Sequence, residues 1–251
     1  MANYDFPTEV ISLPSQGKCY PESNPLSKGQ IEIKYMTAKE EEILASQNLI
    51  RKGVVLDKLF ESIIVDKGVN VDDILIGDKN AIMLATRILG YGKDYNIETE
   101  DEMGEKESIT VDLSKIQTKE VDFEKLNQEN KYQFTTSTGV VIEYKFLSHG
   151  DEKKIETDIR ALDRLNKGGV SAEITTRYRH MILSVDSKDD VKSITDFINN
   201  KFLTKDTRAF RKELSSLQPD VVMEYEYDNE VSGEKEKRPI PMGVGFFWPT
   251  D

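Results

Sequence analysis

Few side chains in this sequence are of the types that do chemistry. The sequence holds two histidines, His149 and His180, and one cysteine, Cys19. His149 follows Ser148 at an expected strand–helix junction, and His180 lies between Arg179 and Met181 on an expected helix. Neither has a Ser, Cys or Asp at a spacing known from nucleophilic catalysis. Cys19 sits in a proline-containing stretch with only Lys18 beside it to favour a thiolate, a weak setting for reactivity. One cysteine and two distant histidines assemble no ordinary zinc cage. A lone cysteine also forms no intrachain disulfide, which suits a reducing compartment.

The acidic clusters resolve in the same direction. Glu40, Glu41 and Glu42 are consecutive, and neighbours on a helix point about 100° apart, so they do not converge on one ion. They suit a solvated helix start, where carboxylates meet the positive end of the dipole. Asp72-Asp73 and Asp189-Asp190 lack the Asp-x-Asp-x-Asp-Gly loop and distal Glu of a calcium site, and turn or cap roles are expected instead. Gly90 and Gly92 follow a helix and lack the Gly-Lys-Ser/Thr ending of a phosphate loop, so they are expected to stop that helix. Arg177, Arg179, Lys201, Lys205, Arg208, Arg211 and Lys212 lie among acids without interleaved aromatics, as on a salt-bridged helical surface. The residues therefore point to no catalytic group, no cofactor and no metal, and to a non-enzymatic chain.

The elements that carry these residues alternate helix and strand. Residues 1–28 contain Pro14, Pro21 and Pro25 and are expected to form an extended arm, which Leu13, Tyr20 and Leu26 dock. Ile31 to Tyr35 alternates as a half-buried strand does. Thr37, three residues before Glu40, has capping-box spacing and opens a helix. Further helices are expected over Val55 to Ile64 and over Lys79 to Leu89, the latter capped by Asp78. Tyr95 to Leu113 has the pattern of a β-hairpin with an acidic tip. After a charged connector, residues 114–131, strands are expected at Tyr132 to Thr136 and Val140 to Leu147. Helices follow at Asp151 to Leu165, Ile174 to Leu183, Asp189 to Phe202 and Thr207 to Leu217, then a second hairpin from Met223 to Tyr227 and Arg238 to Phe247.

This order contains its own echo. Ile31 to Glu41 lies over Ile142 to Glu152 without a gap, a shift of 142 − 31 = 111 positions, and Gly104 to Glu107 returns as Gly233 to Glu236. The expected fold class is α+β: two similar lobes from an internal duplication, each strand, helices and hairpin. The lobes would span 29–113 and 132–251, with 1–28 as the arm and 114–131 as the connector.

The composition bounds the partners. The chain has 251 residues, 37% hydrophobic and 32% charged, and its 34 basic and 46 acidic side chains give a net charge of −12. That balance disfavours nucleic acid, which requires a clustered basic face. No segment approaches the ~20 apolar residues of a membrane span, and the N-terminus lacks the basic start and apolar run of a signal peptide, so a cytoplasmic protein is expected.

The most apolar stretch is at the end, Pro239 to Pro249, with the single tryptophan. It is either a last strand tucked into its own lobe or an aromatic anchor for another subunit. Phe246, Phe247, Trp248 and Pro249, with Leu13 and Tyr20 of the arm, are the residues expected to meet a partner.

Several blocks resemble one family. Leu13 to Gly17, Ile31 to Ile43, Asp72 to Ala81, Ile88 to Gly92 and Ile240 to Pro249 are similar to the T-even-type phage baseplate proteins, called hub subunits or hub assembly proteins. The blocks touch both halves and nearly the whole chain. The resemblance implies a structural or assembly role in a contractile tail, with other baseplate and tail proteins as partners. It implies folding in the host bacterial cytoplasm and then residence in the virion baseplate, or a chaperone absent from the finished particle. A cell-wall-degrading hub enzyme is the catalytic rival, and it would need a carboxylate pair in a cleft with separated pKa values. The resemblance also brings an expectation of Cys-x-x-Cys-like pairs at the hairpin tips. Glu98 to Glu107 and Asp228 to Glu236 hold no cysteine, so zinc is not carried over.

Overall fold

Strand β1 (Thr8–Ser12) runs antiparallel to β2 (Gln30–Lys34), with Ile11 opposite Ile31 and Glu9 opposite Ile33. Alternation places Ile31 and Ile33 in the core and leaves Thr8, Val10 and Ser12 exposed. The computed structural model in which these elements are seen describes residues 7–100, 106–166, 171–228 and 235–248. The arm is therefore more structured than its prolines predict. It contains β1, a turn, and a 3-10 segment at Pro25–Lys28 capped by the Asn24 side chain.

Three helices follow: α1 (Ala38–Ala45), α2 (Gln47–Lys52) and α3 (Val55–Ile63). In α3, Val55, Leu59, Phe60 and Ile63 recur near helical spacing and all are buried. The chain then touches β2 again, through an antiparallel bridge of Ile64 with Ile33. Helix α4 (Ile76–Tyr91) begins three residues earlier than the sequence predicts. Leu75, extended at ψ 150, occupies the N-cap, and Asp78 is inside the helix rather than capping it. Gly92, at φ 83, stops it in the left-handed region as expected. Strands β3 (Asp94–Glu100) and β4 (Lys106–Asp112) form the first hairpin. Arg87 ties α4 to its base: the buried guanidinium donates to the carbonyls of Gly92 at 3.1 Å and Asp94 at 3.4 Å and faces the rings of Tyr91 and Tyr95.

The second half opens with β5 (Tyr132–Thr135) against β6 (Val141–Tyr144). Helices α5 (His149–Asn166) and α6 (Glu173–Met181) come next. The helix expected through Leu183 ends at Met181, and Ile182–Val185 forms strand β7 beside β6. A short apolar run such as Ile182 to Val185 suits either state, and the open edge of β6 decides for strand. Helices α7 (Val191–Asn200) and α8 (Thr204–Leu217) lead to the second hairpin, β8 (Glu224–Asp228) and β9 (Lys235–Pro239), and a 3-10 turn at Val244–Phe247. The fold is α+β. Gly104 and Gly233, on which part of the sequence echo rests, lie outside the described residues.

The main core does not divide at the connector. Leu13, Ile33, Leu59 and Phe60 of the first half join one cluster with Ile142, Tyr144, Phe197 and Phe210 of the second. A smaller cluster gathers the bases of both hairpins, with Tyr95 and Leu113 beside Tyr225, Tyr227, Ile240 and Phe246. The connector also takes part, through a bridge of Thr118 with Val221 and the Lys119 amide donating to Asp220 O at 2.8 Å. Among the described residues no helix is long and apolar enough to cross a membrane.

Candidate interaction sites and the junction between the halves

Where the first half meets the second, backbone joins backbone. Leu75 bridges Ser148, the Ile76 amide donates to Leu147 O at 3.1 Å, and the His149 amide donates to Ile74 O at 2.8 Å. Two glycines permit this approach. A Cβ at Gly77 would sit 2.0 Å from Pro219 O, and one at Gly150 would sit 2.9 Å from Asp72 Cβ.

Charged groups line the same seam. His149 Nε2 lies 2.5 Å from Asp57 Oδ1, and both side chains are buried. Lys153 Nζ lies 3.0 Å from Asp57 Oδ2 and 2.7 Å from Asp72 Oδ1. Burial lowers the Lys153 pKa, but the bonds to Asp72 and Asp57 outweigh it and the net shift is upward. Lys79 pairs with Glu152 across the seam, and Asn80 donates to Asp220 at 3.0 Å.

His149 therefore has an aspartate partner that the fold, not local spacing, supplies. Asp57 is 92 positions away in the other half, beyond any local spacing rule. Asp57, Asp72 and His149 each offer a ligand atom, all within 4.8 Å of one another. The Lys153 ammonium already stands between the two carboxylates, which makes the cluster an ion-pair network across the seam. His149 Nδ1 is buried without a hydrogen-bond partner.

Two further polar devices occur once in each half. Thr37 donates through its amide and hydroxyl to Glu40 at 2.9 and 2.6 Å, and Lys34 reaches the same carboxylate at 2.9 Å. Ser148 donates likewise to Asp151 at 3.1 and 3.2 Å, and Lys145 reaches it at 2.7 Å. All three positions are related by 111 (145 − 34, 148 − 37, 151 − 40). In the second device the Ser15 amide and hydroxyl donate to Asp78 at 2.9 and 2.7 Å, as those of Ser137 do to Asp206 at 2.8 and 3.1 Å. Tyr20 adds a bond to Asp78 at 2.6 Å.

Glu40 corrects the reading of its cluster. Its side chain is fully buried rather than solvated, while Glu41 and Glu42 are exposed. Burial raises its pKa, but bonds from Ser62, Thr37 and Lys34 bring it down to about 2. For Asp78 burial wins, and the pKa rises despite the Tyr20 and Ser15 donors. Asp190 does cap α7, accepting from the Ser193 amide at 2.9 Å. Asp73 accepts from Asn70 at 3.2 Å, in the turn role expected of it. His180 bonds Asp158 at 2.9 Å, and Lys201 of the basic set pairs with Asp196 at 2.6 Å.

The residues expected to meet a partner separate by burial. Leu13, Tyr20, Phe246 and Phe247 are buried, at 2%, 3%, 1% and 0% exposure, and offer no face to a neighbour. The physical reason is that Phe246 closes the small core against Tyr95, at 5.1 Å between ring centroids, while Tyr20 holds Asp78. Trp248, at 38% exposure, is the aromatic of the tail that reaches solvent, and Pro249 lies outside the described residues. Compared with protein-family models, with curated proteins and with solved structures, the chain matches none.

Proposed function

We propose that this chain is a non-enzymatic structural or assembly subunit of a contractile phage-tail baseplate, acting by binding other proteins. The observation that carries this reading is where the resembling blocks fall. Leu13 to Gly17 supplies Ser15 for the bond to Asp78, and Asp72 to Ala81 supplies Asp78 itself. Ile31 to Ile43 supplies Ile33 of the core and the Glu40 device. Ile240 to Pro249 supplies Ile240, Phe246 and Phe247. The likeness thus resides in the residues that hold this fold together, which supports kinship of architecture with a family whose work is assembly.

We infer also that the halves descend from one unit. Support comes from the Glu40 and Asp151 devices at a constant shift and the Ser15–Asp78 and Ser137–Asp206 pairs in the same order.

Trp248 is the surface to test. Tagged chain expressed during infection should recover baseplate and tail proteins. Trp248→Ala should lose them while keeping its circular dichroism and melting temperature. Phe247→Ala, by contrast, should cost about 3–5 kcal/mol of stability. Recovery of no tail protein by the wild-type chain, or turnover of cell-wall material by it, would end this reading.

A further inference from the structure

Strand β1 leaves one edge of its sheet open. The Tyr35 amide donates to Pro7 O at 3.1 Å and the Leu13 amide to Gly29 O at 2.9 Å. In an antiparallel pair, inward and outward groups alternate. The backbone groups of Glu9 and Ile11 therefore face β2, and those of Thr8, Val10 and Ser12 face outward. Among the described residues, β1 pairs with β2 alone. Thr8, Val10 and Ser12 are also exposed, with Val10 at 56%. Edge strands are usually guarded by charged side chains, proline or a bulge. Thr8-Glu-Val-Ile-Ser12 has no proline and an unbroken register with β2, and its one charge, Glu9, belongs to a residue whose backbone groups face β2.

We propose that β1 pairs antiparallel with β1 of a second copy, about a two-fold axis through Val10. The strand is self-complementary in that register. Val10 meets Val10, Thr8 meets Ser12, and the outward groups of all three close a ladder of about six hydrogen bonds. The charge pattern permits the same arrangement. Glu9 is the one charged residue of β1, and it falls opposite Ile11 of the second copy rather than opposite another Glu9. A foreign strand would satisfy the amides equally, but nothing would fix its register, whereas the second copy brings its own match. The open edge of β5 is shorter, with Gln133 and Thr135 outward. The inference stands on β1 alone and holds whether or not the baseplate reading does.

Analytical ultracentrifugation of the full chain over a dilution series tests it. The wild type should show a reversible monomer–dimer equilibrium. Val10→Lys puts two like charges face to face, and Val10→Pro deletes the two central inter-chain hydrogen bonds while leaving every bond to β2. Both should weaken the dimer by about tenfold or more, with circular dichroism and melting temperature of the monomer retained. Val191→Lys, at a valine 79% exposed on α7, should dimerise as the wild type does. A wild type that stays monomeric throughout the series, or Val10→Lys and Val10→Pro variants that dimerise undiminished, would overturn the proposal.

Discussion

Asp78 holds Ser15 with both carboxylate oxygens, the amide at 2.9 Å and the hydroxyl at 2.7 Å, across 63 positions of sequence. The bond fastens the turn after β1 to the first turn of α4, and Tyr20 strengthens it from the same segment. The second half fastens its own first turn to α8 in the same way, through Ser137 and Asp206.

The two fasteners should differ in strength. Asp78 is 1% exposed and accepts from three groups of its own half, so Asp78→Ala strands buried donors and should cost about 3 kcal/mol. Asp206→Ala strands only the Ser137 amide and hydroxyl, which are nearer solvent, and should cost about 1–2 kcal/mol. Urea unfolding at neutral pH measures both. Equal losses would contradict the difference in burial described here.

Acid should weaken the fold through Glu40. Its pKa in the folded chain is about 2, below the ordinary value of 4.5. The unfolded chain therefore binds the proton first as pH falls, and the contribution of Glu40 is lost progressively from about pH 4.5 toward 2. The Asp151 carboxyl is shifted the same way: burial raises it, but Lys145 and Ser148 more than compensate. Glu40→Gln should be less stable than the wild type at pH 7 and should lose less on acidification to pH 3. Parallel pH profiles for the two proteins would remove Glu40 from this role.

Cys19 should be silent in the folded protein. It is 2% exposed and near the Tyr132 hydroxyl, and burial pushes its pKa up to about 11. A thiol reagent at pH 8 should react at the rate of global unfolding, and fast after addition of denaturant. Prompt stoichiometric labelling of native protein would show an exposed thiol instead.

The amino-acid pattern disclosed the elements better than their partners. Period-two alternation located β2, and helical spacing located α3, because each is written within ten residues. Asp78 was legible as a helix-start residue, yet its work depends on Ser15 and Tyr20, which come near it only through the fold. Asp57 and His149 are separated by 92 positions, and no local spacing relates them. The Phe246-Phe247 tail was ambiguous because an interior aromatic and an interface aromatic have the same composition. Only the small core under the hairpins distinguishes them.

Gly77 gives the most severe steric test of the seam. Its missing side chain lets α4 lie against Pro219 and Asp220, and a methyl group there would overlap Pro219 O. Gly77→Ala should destabilise by about 3 kcal/mol, since backbone rather than a flexible side chain must move. Gly92→Ala meets no neighbouring atom, so its cost is confined to the φ of 83. A melting temperature for Gly77→Ala matching the wild type would mean that the seam is looser than described.

Quantitative mass spectrometry across a sedimentation gradient of infected-cell lysate tests the proposed baseplate role of this chain. If the proposal holds, its peptides should comigrate with baseplate proteins, in assembly intermediates for a chaperone and in finished particles as well for a virion component. Peptides confined to the top of the gradient, apart from every baseplate protein, would contradict it.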